Sequence, residues 1–393
     1  METMTQNIDL NYLDKSTWET FKFEEIAHKV SKTVKPDEAL VDIYIGLEHI
    51  DTNDIHIRRK GVPADVKGGK LRCYPGDIIF GKRRAYQRKA AIVDFHGICS
   101  AHAFVFRANS EVIDPKLFPF FLHSDQFMHR MVDISVGGLS PTINWGDLKQ
   151  QEFLLPPKDH QAQLAELLWA MDEVVERENE VLKHFNILKK SKQKKLLLPE
   201  ISDKWESIKL HQGFDKITKK NKENLSDNVL TISASQGLIN QEEYFKRQVA
   251  SKNLSNYYVL ETNDFAYNKS YSNGYPAGAI KVLNKYKIGL VSPLYICFRS
   301  KLNEHYNSYY EYLFDYGYLN KQILSIAKEG ARNHGLLNVA SSDFFNLKIP
   351  KPTQEYLDRI VPILRTLDAI QGSIESKISS SKALQKSIIN QVF

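Results

Sequence analysis

Hydrophobic residues recur every seven positions in two stretches of this chain, residues 161–198 and 355–393. In the first, Leu164, Met171, Glu178, Phe185 and Lys192 fall at heptad position a, and Leu167, Val174, Val181, Leu188 and Lys195 at d. In the second, Ile360, Leu367, Ile374, Ser381 and Ile388 fall at a, and Ile363, Ile370, Lys377, Leu384 and Gln391 at d. Such runs predict two long helices paired as a coiled coil. Each helix packing only on its own domain would leave a similar pattern. Prolines bound both helices: Pro156-Pro157 and Pro199 flank the first, and Pro350-Lys351-Pro352 precedes the second. Upstream, residues 40–50, 71–80, 90–100 and 103–107 are rich in β-branched and aromatic residues and are broken by Pro75-Gly76 and Gly97, which predicts strands. Residues 115–132, with a counterpart at 306–326, have apolar positions at helical spacing. Strands that pair locally and helices that come late argue for α+β domains.

Charge selects the direction of helix pairing. The first helix is acidic early (Glu166, Asp172, Glu173, Glu176) and basic late (Lys189, Lys190, Lys192, Lys194, Lys195); the second runs from Glu355 and Asp358 to Lys377, Lys382 and Lys386. Antiparallel pairing lays opposite charges together; exposed pairs worth ~0.2–1 kcal/mol each choose orientation more than they stabilise. In a blunt antiparallel register Glu178 faces Lys377, Phe185 faces Ile370 and Leu188 faces Leu367, whereas a parallel pair buries Glu178 against Ile374. The expected seam is therefore Leu167, Met171, Val174, Glu178, Val181, Phe185, Leu188, Leu367, Ile370, Ile374, Lys377, Leu384 and Ile388.

The chain also says nearly the same thing twice. Trp18-Glu19-Thr20-Phe21-Lys22-Phe23 returns as Trp205-Glu206-Ser207-Ile208-Lys209-Leu210, and Asp77-Ile78-Ile79-Phe80-Gly81-Lys82 as Asp264-Phe265-Ala266-Tyr267-Asn268-Lys269. Leu164-x-x-Leu167-Leu168-x-x-x-Asp172 returns as Ile360-x-x-Ile363-Leu364-x-x-x-Asp368. This period is far longer than the about 20–50 residues of a solenoid repeat. It is a tandem duplication of a globular unit plus a helix. The expected layout is a leader (1–17), a first domain (18–155), a central helix (156–200), a second domain (201–350) and a distal helix (351–393). The fold expected is α+β: two similar mixed α/β domains joined by two long helices in an antiparallel coiled coil, with a pseudo-two-fold axis. A strut between the outermost seam positions would be roughly 47 Å long, the order of the ~34 Å turn that separates two half-sites on DNA.

Composition narrows the function. With 393 residues, 42% of them hydrophobic, the chain can build two ordinary cores. No apolar run approaches the ~20 residues that cross a bilayer, and no signal-peptide pattern opens the chain, so an intracellular, cytoplasmic location is expected. Cys73, Cys99 and Cys297 are isolated, against a disulfide framework. A net charge of +6 favours an acidic partner.

Catalytic signatures are scarce. Gly76-Asp-Ile-Ile-Phe-Gly81-Lys82-Arg83 nearly spells a phosphate-binding loop, but Arg83 stands where a magnesium-binding Ser or Thr is needed, and Gly81 and Asn268 read instead as turn residues tolerating positive φ. His96-x-x-Cys99-x-x-His102 has ligand-like residues, but it lies across an expected strand and has no repeat counterpart. No Gly-x-Gly-x-x-Gly opens a βαβ unit, and no Asn/Asp-Pro-Pro-Tyr/Phe run is present. No catalytic residue, metal site or resident cofactor is expected.

What remains is basic and polar sequence at loop positions. Lys82, Arg83, Arg84, Tyr86, Gln87 and Arg88 follow a strand directly and suit phosphate oxygens and guanine edges. The repeat keeps Lys269 but offers Tyr271 and Asn273 instead of arginines. A second loop carries Ser140, Thr142 and Asn144, with Arg332, Asn333 and His334 in its counterpart. Each loop alone could equally be a solvated tip. Divergence here, while the helices keep their heptads, is what two readers of different half-sites would show.

The whole chain resembles the specificity subunits of type I restriction-modification systems. The resemblance is carried by Leu155-Pro156-Pro157 with Gln161 and the Leu164 to Asp172 pattern, by Ile349-Pro350-Lys351-Pro352 with the Ile360 to Asp368 pattern, by the aromatic-Gly-Lys-Arg-Arg segment, and by Gly-x-Leu-Ser-Pro-Thr at Gly137 to Thr142. Pro362, early in the second helix, departs from the family pattern. The resemblance implies a non-catalytic subunit that binds a bipartite DNA target, one half-site per domain, with a spacer set by the helix pair. Two modification subunits would bring S-adenosylmethionine and adenine-N6 methylation, and two restriction subunits would bring ATP- and Mg-dependent cleavage. A freestanding DNA-binding regulator and a coiled-coil scaffold without nucleic acid are the alternatives.

Overall fold

Ile78, Ile79 and Phe80 are fully buried in sequence, as a strand covered on both faces must be. Phe80 points into a core of phenylalanines with Phe23, Phe106 and Phe127, while Ile79 points the other way, toward Cys73, Val93 and Val105. In the computed structural model, which describes residues 13–199, 205–233, 236–245, 253–271, 274–327 and 335–393, this strand is central to the first of two compact units. That unit comprises the chain up to Val181 together with Ile374–Phe393; the other is Leu182–Ser373.

In the first unit an antiparallel sheet runs in the order Ala27–Lys29, Ala103–Ala108, Ile78–Gly81, Ala90–Ile92. A second sheet orders Thr33–Val34, Lys70–Cys73, Gly97–Cys99 and Tyr44–Ile45, its last pair parallel. Glu19–Lys22 pairs with Glu152–Leu155, tying the start of the unit to the strand that enters the long helix. The second unit repeats the frame: Phe214–Lys216, Ile296–Ser300, Phe265–Asn268 and Ala279–Val282 form its sheet, and Glu206–Lys209 pairs with Lys348–Lys351. The helices Phe118–His123 and Asp125–Asp133, and in the repeat Glu304–Asp315 and Asn320–Ile326, cover these sheets. The duplication reaches single interactions. Buried Asp77 accepts from the Tyr74 amide (3.0 Å) and Arg107 Nε (2.8 Å); buried Asp264 accepts from the Glu261 amide (2.7 Å) and Arg299 Nε (2.6 Å). A carboxylate taken out of water is tolerated because a guanidinium fork and a backbone N–H both meet it.

The turns differ from expectation. Gly81 and Asn268 end their strands without positive φ; the left-handed positions are Arg84 (φ 58) and Arg88 (φ 50). Cys99 lies beside Cys73 in the sheet, and among the described residues no cluster of metal-ligating groups forms.

The long helices are Lys158–Leu197 and Gln354–Val392, and each unit holds its own stretches of them antiparallel. In the first unit Lys377 meets Glu178 at 3.6 Å, Gln385 donates to Asp172 at 3.2 Å, and Phe393 packs on Phe121 with ring centroids 5.4 Å apart. In the second, Lys189 joins Asp368 and Gln371, and Tyr356 Oη donates to the Leu196 carbonyl at 3.0 Å. The second helix continues through Pro362, which is exposed, as is Asp358, whose carbonyl loses its helical donor there.

The seam itself differs. Position a faces inward, with Leu164, Glu178 and Ile360 buried and Met171, Phe185, Leu367, Ile374 and Ile388 half-buried. Its partner is e, not d: Leu168, Val175, Leu364 and Ile378 are buried, with Leu182, Gln371 and Gln385 half-buried. Leu167, Val174, Val181 and Leu188 are 37–62% exposed, Ile363, Ile370 and Leu384 are 38–57% exposed, and Lys377 is exposed. Leu188 and Ile370 thus do not form the pairs expected of them. The first helix carries aliphatic residues at both d and e, so its pattern fits either face. The domain decides, because Leu168 joins the same cluster as Phe120, Phe121 and Ile389. In the second helix e is often polar, and Gln371 and Gln385 satisfy their amides across the seam.

Behind this cluster His123 is buried, its Nε2 2.8 Å from the Ala90 carbonyl oxygen. Burial, opposed by that hydrogen bond and reinforced by the Arg88 charge, pushes its imidazole down to about 4. A depressed histidine means that the unfolded chain takes up the proton first as pH falls. This contribution is therefore complete above pH ~6.5 and is lost toward pH ~4, about 3 kcal/mol in all. Urea unfolding followed by tryptophan fluorescence, with Trp18, Trp145 and Trp169 all in this unit, should show that loss in the parent. In His123→Gln, which keeps an N–H for Ala90, the pH dependence should be flatter by roughly 2–3 kcal/mol; parallel profiles would refute the assignment.

Candidate nucleic-acid interface

In the first unit the two loops singled out by composition form one surface. The Arg84 amide donates to the Pro141 carbonyl (2.7 Å), Arg84 Nε to Ser140 Oγ (3.2 Å), and the Ile143 amide to the Lys82 carbonyl (2.9 Å), while Arg83 and Thr142 form a β-bridge. The left-handed turn at Arg84 and the short helix Ala85–Gln87 lift Arg83, Arg84 and Tyr86 into solvent around a buried Ala85. Asn144 is exposed and donates to Asp147 Oδ2 at 3.3 Å. Gln87 is half-buried.

Sequence reasoning missed one cation of this surface. Lys29 Nζ lies 5.4 Å from the Trp145 ring centroid, and Lys82 Nζ lies 5.2 Å from that of Phe104. Burial, and then the Lys29 charge, hold Lys82 below the ordinary lysine range. Lys216, at the end of the repeat's matching strand, was the signal that could have found Lys29. No carboxylate pairs with Lys29, Lys82, Arg83 or Arg84 among the described residues, so the surface keeps its positive charge for a partner.

Arg88 has a different role from the one its sequence neighbours suggest. Its Nε donates to Asn53 Oδ1 (2.7 Å), Nη2 to the His123 carbonyl (2.9 Å), and Nη1 meets Asp125 (2.7 Å). The left-handed φ at Arg88 turns the side chain inward, where it ties the loop to the helices.

The second unit joins the equivalent loops in the same way: the Tyr271 amide donates to the Gly335 carbonyl (2.7 Å), the Leu337 amide to the Lys269 carbonyl (3.0 Å), and Ser270 bridges Leu336. Tyr271 is exposed, and burial lowers Lys269. Asn273, Arg332, Asn333 and His334 lie outside the described residues. Each unit therefore presents a paired-loop surface, arginine-bearing in the first and carrying Lys269 and Tyr271 in the second. A second kind of surface comes from the apolar residues turned out of the seam: Leu167, Val174, Val181 and Leu384 in the first unit, and Leu188, Ile363 and Ile370 in the second.

Comparison with known proteins follows this geometry. Residues 15–184 match the family described as the type I restriction modification DNA specificity domain. The type I restriction enzyme EcoDI specificity subunit of Escherichia coli is 26% identical over 196 residues, 48% of this chain. The match spans 44% of that relative's length. Among solved structures, one reported as the structural basis of complex assembly and conformational transition of the type I R-M system aligns over 95% of this chain and 97% of its own, at TM-score 0.57 and 18% identity. The type I restriction-modification system S subunit from M. genitalium aligns over 96% of both chains, at TM-score 0.51 and 16% identity. At these identities the two structures bear on the fold alone, and that fold is shared nearly end to end. Residues 15–184, less than half of the chain, are thus similar to the type I restriction modification DNA specificity domain.

Proposed function

We propose that this chain is the DNA sequence-recognition subunit of a type I restriction-modification complex. It reads a bipartite duplex target, one half-site per unit, and the spacer between half-sites follows the length of the two long helices. The observation that carries this reading is the recurrence, in both units, of one loop pair with different side chains: Arg83 and Arg84 against Ser140 and Thr142 in one, Lys269 and Tyr271 against Gly335 and Leu336 in the other. A shared scaffold with divergent loops is what reading two different sequences requires.

The chain performs no chemistry in this reading. Two modification subunits hold S-adenosylmethionine and methylate adenine, and two restriction subunits hold ATP and Mg and cleave; the complex works in the cytoplasm, where the DNA is. No helix among the described residues is long and apolar enough to cross a membrane. The exposed apolar stripe favours a chain made for assembly over a freestanding regulator, because solvent-facing Val174, Val181 and Leu188 gain only by burial against a partner. Methylome sequencing of a host with and without the gene is the test. Loss of one motif made of two short half-sites around a fixed gap is expected, and an unchanged methylome would overturn the proposal.

A further inference from the structure

One feature of the loop surface is not accounted for by phosphate contact. Leu139 is 97% exposed, at the tip of a turn that holds its shape. The Val136 and Thr142 amides each donate to the other's carbonyl, at 3.1 and 2.9 Å, closing the hairpin. Gly137, at φ 117, makes a bend that a side chain would strain, and Arg84 braces the far arm through Pro141 and Ser140. Val136, 58% exposed, extends the apolar tip. A lone exposed leucine is ordinary on a protein surface. Here it stands on a braced hairpin joined to the loop of Arg83 and Arg84, which no carboxylate neutralises among the described residues and whose charges would hold phosphates.

We propose that Leu139 is a wedge that enters the duplex at a base step of the half-site read by the first unit. The inference rests on the DNA-reading function proposed above and adds to it the part of DNA that this residue meets. The backbone and groove edges of a duplex are polar, and its large apolar surfaces are the base faces, reached by inserting a side chain between stacked pairs. Arg83 and Arg84 would hold the backbone beside the opened step, and a pyrimidine–purine step opens most readily. Local unstacking also lowers the cost of swinging an adenine out of the helix, which methylation within a duplex requires.

The test uses the full chain with its methyltransferase partner and duplexes carrying the motif identified by methylome sequencing, with 2-aminopurine replacing each adenine in and beside the first unit's half-site in turn. With the parent chain, fluorescence should rise several-fold at one step other than the adenine that the partner flips for methylation, and only that step reads the wedge. Leu139→Ala should abolish that rise while weakening binding by about tenfold or less, and Leu139→Phe should restore it. Because the side chain is exposed, these substitutions leave the core intact, and unchanged melting curves verify this. If the parent binds its motif but no such step brightens, or if Leu139→Ala brightens it equally, the wedge is overturned and the recognition function stands. If the parent does not prefer its motif to a scrambled duplex, the function beneath the proposal fails as well.

Discussion

Replacing Arg83 and Arg84 together by glutamate should weaken duplex binding by the assembled complex about a hundred- to a thousandfold near 0.1 M salt. Both guanidinium groups are exposed, no carboxylate neutralises them, and the Arg84 backbone is held in place by Pro141. Each phosphate neutralised by a cation releases a counterion and adds ~0.9 to the slope of log K against log salt, so the double variant should lose about two units of that slope. Reversal adds repulsion to the lost attraction, which is why the expected effect exceeds that of two alanines. Arg88→Gln is the contrasting control. Its guanidinium is spent on Asn53, Asp125 and the His123 carbonyl, so it should lower the melting temperature and leave the salt slope unchanged. Titrations at several salt concentrations separate the two, and an unaltered slope in the double glutamate variant would remove these arginines from the interface.

Glutamate at Val174 and Leu384 should abolish capture of the modification subunits while the chain stays folded. Both side chains are about half exposed, so a charge there costs the isolated chain little. In a docked interface the same substitutions would forfeit roughly 0.8–1.5 kcal/mol of apolar burial at each position, about half the value for full burial because half of each side chain is already covered. They would also strand an unpaired carboxylate in a dry contact, at several kcal/mol more. A loss of at least about a thousandfold in affinity follows. Co-purification from a host expressing chain and partner reads the result, with thermal melting as the check on folding. Stoichiometric recovery of the partner with the double variant would mean that it docks elsewhere.

Much of the architecture was legible because it is written in periodicity. Apolar positions at helical spacing forecast both long helices, and the β-branched runs covered six of the eight strands of the first unit's two four-stranded sheets, missing Ala27–Lys29 and Thr33–Val34 and running strands of different sheets together. The facing pair Glu178 and Lys377 could be named from the heptad register once charge had chosen the antiparallel direction, since only antiparallel helices bring those residues together. The repeat made Asp77 and Asp264 visible as matched positions, though not as acceptors for Arg107 and Arg299. The candidate loops were visible as two separate segments in each half; their joining through Arg84 and Pro141, or Tyr271 and Gly335, was not.

The sequence by itself determined local periodicity, the duplication, the charge gradient along each helix and the loop composition, since all of these depend on residues near one another in the chain. Which face of the helices became the seam was decided only by the fold. Leu167-Leu168 and Val174-Val175 satisfy either choice, and it was the phenylalanine core around Phe121 that drew Leu168 inward and left Leu167 outside. The same holds for Arg84 and Arg88, adjacent members of one basic run. One faces water and the other faces Asp125, because the turn between them, and a helix far away in sequence, set the direction of each side chain.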